Sequence, residues 1–202
     1  MIRRRCLQAM LMLALSPLPA FAQAPQVKRI RGTVQSVNGD MVTVQPTDGA
    51  PVAIKLAPNL RVSTMAPLKL GDIKPNDFVG IGASGPADHL VAIQVVVFPE
   101  SLRGAGEGHY PWSVQPENSM TNADVTGVVA TQAGGRELTL SFKGNSLKIS
   151  VPPDAAIYRL AIGDRSALVP GAKVSIAASM DGDAVLSASR VTVAIEGANL
   201  PI

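Results

Sequence analysis

Ile30-Arg31-Gly32-Thr33-Val34-Gln35-Ser36-Val37 alternates apolar and polar residues at period two. That is the pattern of a strand with one face in a core and the other in water. Asn38-Gly39-Asp40 supplies a tight turn, and Met41-Val42-Thr43-Val44 resumes the alternation, which predicts a hairpin. Asp48-Gly49 turns the chain again into Val52-Ala53-Ile54-Lys55-Leu56. Leu68 to Asp77 has the length for one helical turn that would plug an open barrel end. Strands at Phe78 to Ala83 and Leu90 to Phe98 complete the set. A second set runs through Val125 to Ala130, a turn at Gly134-Gly135, Glu137 to Phe142, a turn at Gly144-Asn145, and Leu147 to Val151. No stretch keeps helical periodicity over three turns, so the chain reads as all-β.

The two sets are related by a nearly constant offset of 95 residues. Arg31-Gly32-Thr33-Val34 matches Thr126-Gly127-Val128-Val129, and Val52 to Asn59 matches Leu147 to Asp154. Asp72 to Val79 matches Ala167 to Val174, and Leu90 to Val95 matches Leu186 to Val191 with one residue inserted. Such self-similarity predicts two homologous domains, about Ile30 to Phe98 and about Ala123 to Ala194. Three hairpin-linked strands, a short crossover and two more strands fit a small five- to six-stranded OB-like Greek-key barrel. A sandwich of two three-stranded sheets is the competing arrangement. The chain then divides into an export signal at 1–22, a first barrel at 23–98, a linker at 99–122 and a second barrel at 123–202.

The pattern G-x-V-x-x-V-x-G-D-x-V-T-V, an L-x-D-I-K-P-x-D-x-V entry to a glycine-rich strand, and Val91-Ala92-Ile93 resemble an uncharacterised bacterial family. Its members are exported and carry one or more small β-barrel domains of unknown function. The Arg103 to Trp112 stretch, followed by Met120-Thr121-Asn122, is similar to a segment of that family as well. The resemblance implies fold and compartment and names no activity. The second set departs from the pattern at Ala167-Leu168-Val169-Pro170, where the acidic residues are missing.

Composition changes meaning once the N-terminus is read. Arg3, Arg4 and Arg5 precede a short apolar run from Leu7 to Leu18, and Ala20-Phe21-Ala22 matches a cleavage pattern, placing the mature start at Gln23. The run is short for a bilayer span and is interrupted by Ser16 and Pro17. The expected location is periplasmic or secreted, with no membrane span after cleavage. Those three arginines belong to the 18 Lys+Arg, so the mature remainder balances the 15 Asp+Glu. The basic excess therefore resides in the signal and argues for no nucleic-acid partner. Single-strand binding needs a basic groove and stacking aromatics, whereas aromatics make up only 3% of the chain. The single cysteine, Cys6, leaves with the signal, so no disulfide, thiolate metal site or cysteine nucleophile is expected.

Candidate chemistry is sparse. Gly80-Ile81-Gly82-Ala83-Ser84-Gly85 matches G-x-G-x-x-G, but Pro86 and another strand follow where a dinucleotide site needs a helix. Those glycines read as a strand that bends where a barrel closes. His89 and His109 are the only histidines, and Ser84 lacks the nucleophile-elbow context. Glu100, Glu107 and Glu117 offer carboxylates without a defined separation. A metal could draw on Glu107, His109, His89 and Asp124, yet no further ligand pattern accompanies them. No cofactor, metal or catalytic residue is assigned.

The linker stands apart. Arg103, Glu107, His109, Tyr110 and Trp112 crowd into ten positions, with Pro111 stiffening the aromatic pair. A passive spacer would lack such aromatics. Two functions follow as expectations. One is a noncatalytic envelope module that takes a protein or glycan partner, its linker ordered and Trp112 buried between domains or on the partner. The other is a small-molecule or metal site, enzymatic in the extreme case, built from these residues in the interdomain cleft.

Overall fold

The computed structural model describes residues 27–112, 118–180, 185–195, 197–198 and 200. The segment read from sequence as an export signal, with Cys6 and Gln23, and the candidate carboxylate Glu117 lie outside these residues. The described residues are all-β, with twelve strands in one hydrogen-bonded sheet that closes on itself as a β-barrel. In chain order they are β1 (Val27–Asn38), β2 (Met41–Pro46), β3 (Val52–Pro67), β4 (Phe78–Ser84), β5 (Leu90–Val97) and β6 (Gly108–Pro111). There follow β7 (Asn118–Ala130), β8 (Arg136–Phe142), β9 (Asn145–Val151), β10 (Ala156–Gly163), β11 (Lys173–Met180) and β12 (Leu186–Ala194).

The pairings form two closed five-strand circuits. In the first, β1-β2-β3 is a meander, β12 runs parallel to β3, and β11 joins β12 back to β1. In the second, β7-β8-β9 is the meander, β5 runs parallel to β9, and β4 joins β5 back to β7. Each circuit thus takes three strands from one half of the chain and a hairpin from the other. The sequence pattern instead led us to expect each half to close a barrel by itself, in tandem. The cores record the exchange: Val34, Val42 and Ile54 pack with Val174, Ile176 and Val191, while Val79, Ile81 and Val95 pack with Val125, Leu138 and Ile149.

The exchange is physical because β3 does not stop at Leu56. It continues to Pro67, and its far half pairs antiparallel with β10. Met65 lies opposite Leu160, its own counterpart at the 95-residue offset, with Thr64 opposite Ala161 and Ala66 opposite Arg159. This self-complementary arrangement is what two-fold-related strands make. β10 also pairs parallel with β5, so one strand bridges the circuits. Met65, Val96, Tyr158 and Ala198 form a small third core at this seam, where desolvation holds the Tyr158 phenol above its ordinary pKa.

Short 3-10 turns at Leu70–Asp72 and Arg165–Ala167 make the two crossovers. The residues just after them, Ile73 and Leu168, are buried in the second and first cores respectively. Each turn thus places an apolar residue in the core of the circuit built around the other half's meander. One alignment shifts: β-bulges fall at Val34/Ser36 in β1 and at Val125/Gly127 in β7. Val34 therefore corresponds to Val125, and Gly32 does not stand where Gly127 stands. The turn between β7 and β8, longer than its β1–β2 counterpart, absorbs the difference.

Candidate functional site

The described part of the linker lies along the second circuit. β7 begins at Asn118, earlier than the pattern predicted, and β6 pairs antiparallel with it from Gly108↔Asn122 to Pro111↔Ser119. The backbone N–H of Trp112 donates to the Asn118 carbonyl at 2.8 Å, closing this short hairpin. Positive φ at Gly104, Gly106 and Gly108 lets the approach to β6 turn sharply. The glycines in this stretch serve geometry.

Each candidate side chain has its own anchor. The Arg103 guanidinium donates to both carboxylate oxygens of Glu100, at 2.7 and 2.6 Å, to the Asn76 carbonyl at 2.8 Å and to Asp124. These bonds, the one to Glu100 foremost, hold Arg103 above its ordinary pKa and Glu100 below its own. Glu107 accepts the backbone N–H of Lys143 at 2.8 Å, in the β8–β9 turn where Lys143 adopts positive φ. His109 Nδ1 lies 2.8 Å from the hydroxyl of Thr121, directly across the ladder, and its ring lies 6.3 Å from that of Phe142. Asn122 Nδ2 donates to the Tyr110 hydroxyl at 3.3 Å and to the Ala105 carbonyl at 3.1 Å.

Trp112 explains the glycine motif of β4. A Cβ at Gly82 would run into the Trp112 ring, and one at Gly80 would lie 2.8 Å from both Asn122 and the Phe98 ring. Gly80 and Gly82 are glycine because side chains lie on that face. A bulge does fall beside Gly82, at Gly82/Ala83. In the first circuit Ser175 and Ala177 of β11 occupy the matching outward face. Trp112 is half-buried and covers β4 of the second circuit.

The five predicted residues are therefore brought onto one strap, but not onto one point. Glu107 reaches toward the β8–β9 turn, His109 toward Thr121, and Arg103 toward Asn76 and Asp124. Among the described residues no three of His, Cys, Asp and Glu converge as a metal would require. No helix among them is long and apolar enough to cross a membrane. Sequence reasoning marked Thr121 and Asn122 only as part of the Met120-Thr121-Asn122 stretch, gave Asn76 no role, and named none of the three as a partner of the strap. Thr121 and Asn122 are nevertheless buried polar residues, and their adjacency in a strand was the available signal.

A separate groove of about 710 Å³ opens between the strap and the seam. Phe98, Leu102, Leu160 and Ile162 make it apolar, and Arg61 and Arg190 add positive charge. None of the five strap residues lines it. No family model, curated protein or solved structure matches this chain.

Proposed function

We propose that this chain is a noncatalytic, exported binding module of the cell envelope, built from two OB-like barrels and directed at a protein or glycan partner. The cyclic strand order of each circuit, with the last strand of its meander parallel to one strand of the hairpin, supports the OB-like reading. The observation that carries the noncatalytic reading is that every reactive strap side chain is already bonded to a different partner. Nucleophilic or acid–base catalysis needs two such groups within reach of one reacting atom. The strap instead holds β6 on β7 and covers the glycine face of β4.

Thermal melting with and without zinc or copper tests this. Trp112→Ala should lower Tm by several degrees, about 2–4 °C for each kcal/mol lost in a chain of this size, and the metals should leave Tm unmoved. A metal-induced rise that vanishes in Glu107→Gln or His109→Ala would overturn the reading. The second reading, a small-molecule site, draws on the 710 Å³ groove, whose apolar walls and two arginines suit an amphipathic anion. It predicts a Tm rise with such a ligand that Arg61→Ala removes.

A further inference from the structure

β1 is paired on one edge with β11 from Val27 to Thr33, but on the other β2 reaches only Gly32, with Thr47 N–H closing on the Arg31 carbonyl at 3.1 Å. Backbone groups alternate sides along a strand, so the N–H and C=O of Arg29 face the same side as the Arg31 carbonyl. No described strand takes them there. The second circuit shows what such an edge accepts. Thr33↔Gln45 and Asp124↔Ser141 are rungs in the same place relative to the two bulges. Lys28 to Arg31 therefore stands where Ser119 to Asn122 stands, and that edge is filled by β6. At the β1 edge there is instead a groove of about 730 Å³, walled by Lys28 to Arg31 and by the β2–β3 turn from Pro46 to Val52.

Resting on the binding-module reading, we propose that this edge accepts an extended acidic segment of a partner protein as an added antiparallel strand. The open backbone edge calls for another peptide backbone, which a polysaccharide or nucleic acid cannot supply. The charge decides the side chains. The groove is lined by Lys28, Arg29 and Arg31 against the single carboxylate of Asp48. Among the described residues none of these three cations forms an ion pair, and the buried Arg31 Nε has no hydrogen-bond acceptor. Burial and the neighbouring Arg29 charge also lower the Arg31 pKa, as expected of a cation held without an anion.

The β6 register gives the motif. The residues opposite Thr121, Met120 and Ser119 translate to positions opposite Ile30, Arg29 and Lys28, and the one opposite Asn122 translates to a position beside Arg31, whose carbonyl Thr47 already holds. The incoming strand should therefore read acidic, apolar, acidic, acidic. Pairing this edge with the same edge of a second copy would set cations opposite cations, which is unfavourable.

The probe is a fluorescein-labelled peptide, Ser-Glu-Val-Glu-Asp-Thr, titrated into the purified protein and followed by fluorescence anisotropy. Saturable binding is expected, weakened roughly tenfold by Arg29→Gln and abolished by Arg29→Pro. Proline there removes an N–H that points away from β11, so the fold should persist with an unchanged melting curve. In the unaltered protein, peptide should slow hydrogen exchange at the Arg29 amide, a readout independent of any variant's folding. Absence of peptide binding, or an unprotected Arg29 amide in the complex, overturns the proposal. So does a heparin fragment that binds as tightly and survives Arg29→Pro, which would identify a polyanion surface. These outcomes are separate from failure of the noncatalytic reading, which turns on Glu107 and His109 in the other circuit.

Discussion

At Gly82 the missing side chain makes room for the Trp112 ring, and at Gly80 for Asn122 and Phe98. Adding atoms to a filled contact forces neighbours off their rotamers or shifts backbone, at about 1–3 kcal/mol. Gly82→Val should lower stability in urea melts by that order, and much less when Trp112→Ala is already present. A double-mutant cycle reads this coupling directly, and equal costs in both backgrounds would contradict the packing described. The glycine motif itself was plain in the chain. Its reason was not, because the covering side chains, those of Phe98, Trp112 and Asn122, come from about 18, 30 and 42 residues downstream.

Among the elements, the strap shows what holds an irregular segment in place. Arg103 bonds Glu100 within its own turn and reaches Asn76 and Asp124 on the circuit. Glu100 has its folded pKa lowered from an ordinary value of 4.5 by that hydrogen bond. Its contribution is present above the ordinary value and is lost as pH falls through the lower folded value. Urea melts at pH 7 and pH 3 should therefore show an acid loss that is smaller in Arg103→Gln than in the parent. An unchanged acid loss would mean the cluster does not stabilise the fold. β10 was the element the pattern hid. Ile157 packs in the second core and the adjacent Tyr158 in the seam, so neighbouring residues are both buried and the period of two disappears. β4, covered on both faces, reads as a continuous apolar run for the same reason.

For the whole molecule the consequence is cooperativity between halves. Because each circuit lacks a hairpin unless the other half supplies it, a fragment of residues 23–98 should not fold as a monomer. Light scattering after size exclusion should find it unfolded or self-associated through reciprocal exchange. Mixing residues 23–112 with 113–202, a division between β6 and β7, should restore a one-to-one complex with the strand content of the intact chain. A folded monomeric 23–98 would instead mean that each half closes its own barrel.

Strands, turns and the all-β class were legible from local alternation, since burial of one face writes itself into every second residue. The unusual composition of the strap also pointed to an ordered segment before any contact was known. Which hairpin closes which circuit was decided only in three dimensions. Both halves present the same inward pattern, so either hairpin satisfies either core locally. The deciding feature is the continuation of β3 to Pro67, held by β10 and β12, which carries the chain out of one circuit and into the other. The partners of Arg103, Glu107, His109 and Tyr110 depended on that path as well, because hydrogen bonds between distant residues exist only after the register is set.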